Sequence, residues 1–387
     1  MPLRVSPKRN HAMDEMSSTP TSDSTRIVFL LGKRDVPADG IQDYCEYLGK
    51  ALERRGIQTE IAHVDWDSQG WTNALRMLRA RSAAWSKSWV VLQYTALSWS
   101  KHGFPLGVLA VLRSLKRREL RCAIVFHEPF GLSGHRMVER VRCACQNWAI
   151  RRLYGQADMS IFPVPLETIR WLSPGDPKAI FIPIGANIPE CEGLERVIPN
   201  VNSVSRTIVI YCLSDLPHLD RELADIANAV RKSLLHGMKL RVVFLGRGTN
   251  EASGDINRAF DGMDAEVLNL GIQKSESVRL TLLQSDVMLC VRGPLYPRRG
   301  SALAGIACGV PIVGYAGAAE GTPIAEAGTE LVPYGDREAL GTALWRVLAD
   351  RKVWQELHEK NLSVYRRYLS WDLIAKSMID ALGPDPA

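Results

Sequence analysis

Short apolar runs of strand length, each followed by a longer amphipathic stretch, recur through both halves of this 387-residue chain. In the first half the runs fall near 27–31, 59–63, 89–93, 122–126, 159–162 and 179–183, with helical stretches over 41–55, 71–80, 105–116, 136–154 and 166–172. The second half repeats the scheme, with runs near 208–212, 241–245, 266–270, 286–291, 312–313 and 330–332. Strands joined by helix-length connections pair in parallel, and the helices serve as crossovers on the faces of the sheet. The expected fold class is α/β: two Rossmann-like, doubly wound parallel-sheet domains facing a cleft. Ligands of such folds sit at the carboxyl ends of the strands.

The boundaries follow from where the pattern stops. Residues 1–24 are rich in Ser, Thr, Pro and charge and lack the apolar core of a signal peptide, so they read as a disordered tail of an intracellular protein. The first domain is expected over 25–195, an aperiodic linker over 196–206, and the second domain over 207–367. An amphipathic segment over 368–387 follows a complete domain and is expected to cross back to the first. No apolar run approaches the about 18–20 residues that span a bilayer.

Charge is unevenly placed. The chain carries a net +6, yet eleven basic residues stand against three acidic ones between 101 and 155. A basic face beside apolar helical residues suits peripheral contact with the anionic inner face of a membrane, and an exposed solvated helix face gives the same pattern. The aromatic-interleaved platforms of nucleic-acid binding are missing, so no nucleic-acid partner is expected. The eight cysteines are scattered, and Cys143-Ala-Cys145 is not a CxxC, so neither a metal nor a disulfide framework is expected.

Candidate chemistry concentrates at strand ends. The most informative stretch is Leu295-Tyr-Pro-Arg-Arg-Gly-Ser-Ala-Leu-Ala-Gly-Ile-Ala-Cys-Gly-Val-Pro-Ile-Val-Gly314. An apolar run enters a turn with paired arginines, Gly300-Ser301 opens a helix and Gly309 closes it. A helix start presents unpaired N–H groups and partial positive charge, and Arg298 and Arg299 add fixed charge able to fork onto phosphate oxygens. The competing reading is an ordinary βα turn with a solvated arginine pair. Gly40 opens the first helix after a long loop that lacks a GxxxxGK[ST] signature. His127-Glu128 stands at a strand end, placed to touch a sugar or serve as acid and base, and HExxH is absent. Asn187, before a proline, caps a turn and contacts the cleft. Gly246-Arg247-Gly248 lacks the third glycine and the distal acid of a nicotinamide site, which leaves Arg247 as a nucleotide contact.

In order and spacing these pieces resemble the retaining, nucleotide-sugar-dependent glycosyltransferases of the GT-B fold, family 4 in particular. The resemblance rests on Pro37-x-x-Gly40 with its following helix, His127-Glu128, Pro183-Ile-Gly-Ala-Asn187-Ile-Pro, Leu245-Gly-Arg-Gly248, the 298–311 stretch, Val332-Pro-Tyr-Gly-Asp336 and Leu369-Ser-Trp371. It matches Gly40 to the family's glycine loop, His127 to its sugar-contacting His, and Ser301 with the helix start to its diphosphate-facing turn. With the residues read above, the expected catalytic pair is His127 and Glu128, the expected donor-binding set is Gly40, Arg247, Tyr296, Arg298, Arg299, Gly300 and Ser301, and Asn187 lies on the acceptor side. The donor is a nucleoside-diphosphate sugar, the acceptor a glycan or lipid-linked molecule, and no metal or other cofactor is required. Two departures stand out. The family's two glutamates, eight positions apart, fall on Tyr296 and Ala304, and Leu213-Ser-Asp-Leu-Pro-His218 replaces its basic pair after the first strand of the second domain. A degenerate sugar-binding scaffold and a nucleotide-sugar epimerase are the alternatives.

Overall fold

The computed structural model describes residues 26–32, 40–190, 205–317 and 323–383. Two six-stranded parallel sheets form the two lobes. The first contains β1 (Arg26–Gly32), β2 (Gln58–Val64), β3 (Ser88–Tyr94), β4 (Arg121–Phe126), β5 (Met159–Phe162) and β6 (Ala179–Phe181), in the order β2-β1-β3-β4-β5-β6. Its crossover helices are α1 (Gly40–Arg54), α2 (Trp66–Arg81), α3 (Gly107–Lys116) and α4 (Met137–Gln156). Alternate residues of β1 feed different cores. Val28 and Leu30 join Val90, Leu92 and Val108 on one face, whereas Ile27, Phe29 and Leu31 join Tyr44, Leu48 and Leu52 on the other. This is why every residue of β3 is apolar or buried: a central parallel strand has no wet face.

The second sheet contains β7 (Ser205–Tyr211), β8 (Lys239–Leu245), β9 (Ala265–Gly271), β10 (Val287–Cys290), β11 (Ile312–Tyr315) and β12 (Thr329–Val332), in the order β12-β11-β10-β7-β8-β9. Helices α5 (Leu219–Leu235), α6 (Ser253–Ala259), α7 (Ser275–Leu283), α8 (Gly300–Ala307), α9 (Arg337–Ala349) and α10 (Arg351–Val364) cover it. Strand order reverses between β7 and β10, and chains of this topology bind ligands in the crevice at that point.

A π-helical turn, Tyr365–Leu369, leads into α11 (Trp371–Leu382). Ser370 caps α11 through its Oγ, which accepts from the Leu373 N–H at 3.4 Å. Trp371, Ile374, Ala375 and Met378 lie at helical spacing and are buried in the same cluster as Phe29, Tyr44 and Leu48 of the first lobe. A Cβ built on Gly185 would lie 2.7 Å from the Trp371 ring, so only glycine lets the chain pass there.

Two expectations change. The stretch 166–172 holds only a 3₁₀ turn, Leu166–Thr168. Pro165 precedes it and Ser173-Pro174-Gly175 follows, leaving too few residues to repay helix nucleation. Ser205 and Arg206, placed in the linker by the sequence, begin β7, where the Arg206 guanidinium meets Asp286 at 3.6 Å. The tail 1–24, residues 33–39 of the loop before Gly40 and 191–204 of the linker region lie outside the described residues.

Trp371→Ala should cost about 3–5 kcal/mol, the usual range for emptying a buried tryptophan site. Urea unfolding reads this directly, and a loss below about 1 kcal/mol, typical of an ordinary substitution, would show that α11 is not part of the first lobe's core.

Candidate functional site

A cleft of about 800 Å³ opens at the β7/β10 switch point. Its floor and one wall come from the second lobe: Tyr211 to His218 after β7, Gly246-Arg247-Gly248 after β8, Gln273 and Ser275 after β9, and Arg292, Tyr296 and Arg299 after β10. The first lobe supplies Gly40, Asp43 and Asn187 opposite. Gly300, Ser301 and Ala304 turn the amino end of α8 toward the space. No side chain caps that end, and the first internal bond runs from the Leu303 N–H to the Arg299 carbonyl, 3.0 Å. Its leading N–H groups therefore face the cleft with the positive end of the helix dipole.

The Gly-Arg-Gly turn has a steric reason for both glycines. Gly246 and Gly248 have φ of 90° and 83°. A Cβ at Gly246 would strike the Tyr211 ring at 2.8 Å, and one at Gly248 would strike the Leu213 carbonyl at 2.5 Å. The loop after β7 lies directly on this turn, with the Leu213 N–H donating to the Arg247 carbonyl at 2.9 Å. Cys212 holds φ of 70°, a backbone state that favours glycine, at the head of the same loop.

The paired arginines diverge. Arg299 lines the cleft, lies over the Tyr296 ring at 4.8 Å and donates through Nη2 to the Arg292 carbonyl at 2.7 Å. Arg298 reaches the other way, and its Nη1 donates to the His127 carbonyl at 2.6 Å, tying the lobes together. Burial pulls the Arg298 pKa below its ordinary value, with Tyr296 and Glu128 opposing. It remains a cation.

His127 is only 8% exposed. Its Nε2 lies 2.8 Å from Gln93 Oε1, and its ring meets Tyr44 edge-on at 5.1 Å. Burial, then the Arg298 charge, lowers its pKa to about 3. The imidazole is neutral at physiological pH and offers shape and one hydrogen bond, not a transferable proton. Glu128 Oε2 accepts from the Ala96 N–H at 3.1 Å. Neither residue is on the cleft wall, and nor is Arg298. Asn187 Nδ2 donates to the Gly40 carbonyl at 2.8 Å, joining the first lobe's two cleft loops. Among the described residues no group of three or more His, Cys, Asp or Glu could hold a metal ion.

Sequence reasoning did not single out Asp43, Asp215, Ser275 or Arg292. Asp43 stands in the first turn of α1, one turn after Gly40, and Arg292 directly follows the β10 run. Their positions beside recognised strand and helix ends were the available signal. Asp215 belongs to the 213–218 segment, which the sequence marked only as a departure from pattern.

No family model matches the sequence, and no curated protein matches it either. Its fold has clear relatives among solved structures. The sucrose-phosphate synthase of Thermosynechococcus elongatus superposes with a TM-score of 0.62 at 17% identity, covering 92% of this chain and 97% of that one. Anabaena HepE, solved with UDP and glucose, gives 0.59 at 13%, covering 92% and 99%. The UDP-GlcNAc 2-epimerase of Methanocaldococcus jannaschii gives 0.54 at 12%, covering 89% and 99%. The architecture is thus GT-B: two α/β lobes with a cleft between them.

Two outcomes test this geometry. Because burial lowers the folded-state pKa of His127 from 6.5 to about 3, the unfolded chain takes up a proton that the folded one refuses. The contribution of neutral His127 is therefore full above pH 6.5 and is lost as pH falls toward 3, at up to about 1.4 kcal/mol per pH unit. His127→Gln should flatten the acid limb of the stability curve by that slope, and an unchanged limb would mean the imidazole is not buried. Gly248→Ala should destabilise by more than about 1 kcal/mol, since the added methyl meets both positive φ and the Leu213 carbonyl, whereas a thermal midpoint equal to the wild type's would contradict the loop-on-turn contact.

Proposed function

We propose that this chain is a glycosyltransferase that moves a sugar from a nucleoside-diphosphate sugar to a glycan or lipid-linked acceptor, with retention and without a metal. One observation carries the reading: the uncapped amino end of α8, Arg299 and Arg247 converge on a single cleft at the strand-order switch point. Departure of a nucleoside diphosphate builds negative charge on its outer phosphate, and groups already aimed at that charge lower the barrier with no reorganisation. Ser301 and the first N–H groups of α8 would receive the phosphate, while Arg247, Arg292 and Arg299 surround it with positive charge. Tyr296, lying against Arg299, and the Gly300 backbone complete the donor side.

The first lobe would hold the acceptor. Gly40 admits close approach of substrate to α1, and Asn187 fixes that loop. His127 and Glu128, set behind the wall, would shape the sugar's position as the lobes close, with Arg298 carrying the movement between them. Closure removes water, so that transfer is favoured over hydrolysis. The likeness to sucrose-phosphate synthase and to the UDP- and glucose-bound Anabaena protein supports this choice.

A nucleotide-sugar epimerase is the second reading, favoured by the likeness to UDP-GlcNAc 2-epimerase. An epimerase converts its donor with nothing added, whereas a transferase releases diphosphate in step with glycosylated acceptor.

Calorimetric titration with UDP should show binding, and Arg299→Ala should weaken it about tenfold to a hundredfold, the value of a charge-assisted hydrogen bond. Turnover of UDP-sugars is then followed by diphosphate release and by product mass. Nucleotide binding unaffected by Arg299→Ala would remove the phosphate assignment. Donor conversion without an acceptor would select the epimerase reading, and binding without any turnover the non-catalytic scaffold that Tyr296 and Ala304 suggest.

A further inference from the structure

Helix α4 exposes an apolar stripe that no element of the described chain covers. Met137 and Val138 are 72% and 60% exposed, Val141 54% and Trp148 45%. At helical spacing these side chains share one face, and Ile150 and Leu153 are buried on the opposite one. Arg140 and Arg151 flank the stripe, and the Arg152 guanidinium lies 5.7 Å from the Trp148 ring. The helix carries four arginines against one glutamate. Its 20 residues extend about 30 Å, long enough to lie along a surface. Elsewhere in 101–155, Lys101 meets Asp67 and Lys116 meets Asp158 at 2.7 Å, while Arg113, Arg117 and Arg118 are exposed in and just after α3. Four of the eleven basic residues of that stretch stand on α4, the part of it that also exposes the apolar stripe.

The stripe continues toward the cleft. The loop between β4 and α4 leaves the carboxyl end of its strand, the edge of the sheet that faces the second lobe, and exposes Phe130 and Leu132. That loop is anchored to α4. Asn147 Oδ1 accepts from the Gly131 N–H at 2.9 Å, and buried Gln146 Oε1 accepts from the Leu132 N–H at 2.7 Å while its amide donates to the Gly103 carbonyl at 2.8 Å.

We propose that α4 and this loop form a docking face for an anionic phospholipid bilayer. Exposed Met, Val and Trp enter the acyl boundary, and the flanking arginines meet lipid phosphates. A protein partner of ordinary chemistry accounts for the apolar stripe but not for its arginine border. Docked this way, the cleft edge lies at the bilayer surface, where a lipid-linked acceptor would enter. That last step rests on the glycosyl-transfer reading, but the docking does not.

Co-sedimentation of the full chain with vesicles tests it without any reaction. Vesicles of phosphatidylcholine mixed with phosphatidylglycerol should bind the protein, pure phosphatidylcholine far less, and added salt should release it. Arg140→Gln with Arg151→Gln should lower partitioning about fivefold for each arginine. Met137→Ser, Val141→Ser and Trp148→Ser together should abolish it, while unfolding midpoints and UDP titration stay at wild-type values. Arg231→Gln on α5 of the second lobe should change nothing. Absent or charge-indifferent binding, or equal loss in the Arg231 variant, overturns the proposal. So does a dimer in gel filtration that the serine variant dissociates, since the face would then belong to a second copy. UDP binding that persists when vesicle binding fails leaves the proposed chemistry intact.

Discussion

The cleft depends on a contact made by the far end of the chain. Trp371 enters the first lobe where Gly185 leaves room for its ring, stacks on Tyr47 at 5.7 Å and meets Tyr44 at 5.6 Å. Both tyrosines belong to α1, whose amino end carries Gly40 and Asp43 into the cleft. The last helix thus sets how the first helix faces the ligand space. Arg55, just past the end of α1, reinforces this by forking onto Asp372, 2.7 and 2.9 Å. A chain cut before α11 would leave the apolar face of α1, together with Phe29 and Leu31, open to water.

Polar contacts then set the spacing of the lobes. The Tyr47 hydroxyl donates to Ser275 Oγ at 2.7 Å, Arg279 of α7 donates to the Glu190 carbonyl at 3.0 Å, and the Glu190 carboxylate meets Arg54 at 2.7 Å. Arg298 adds its bond to His127. These bonds are partly exposed, and each contributes roughly 0.5–3 kcal/mol. By contrast α11 is held by a fully buried face.

Much of this was readable from residues. Strand and helix placement followed from periodicity because parallel strands buried on both faces leave a strong apolar signal, and the glycine and serine opening α8 follow from helix-start chemistry. What was not readable is what depends on three-dimensional direction. Arg298 and Arg299 are neighbours of identical type, yet one crosses to the first lobe and the other lines the cleft, because the residue capping a helix and the one before it point to different sides. The Gly-Arg-Gly turn looked like a fragment of a nucleotide loop, while its glycines answer to the close approach of Leu213. His127 was placed correctly at a strand end, but nothing in its neighbours in sequence announced Gln93 or Tyr44 around it. The stretch 166–172 had helical periodicity and too little length to use it.

The absence of the glycosyltransferase pattern's two glutamates has an electrostatic consequence. Carboxylates at positions 296 and 304 would sit on either side of the α8 amino end, where they would partly cancel the field of Arg299 and of the helix dipole. Tyr296 and Ala304 cancel nothing. On the proposed reading, the arginines of the cleft stand in for the basic pair that 213–218 lacks, and sugar hydroxyls are recognised less through paired anions. The carboxylates that do line the cleft, Asp43 and Asp215, come from α1 and from the loop after β7. Recognition of the sugar would then shift away from α8 toward those two segments. One of them is positioned by Trp371, and the other rests on the Gly246-Arg247-Gly248 turn. On that reading, sugar choice would be set by packing contacts outside the 296–304 stretch.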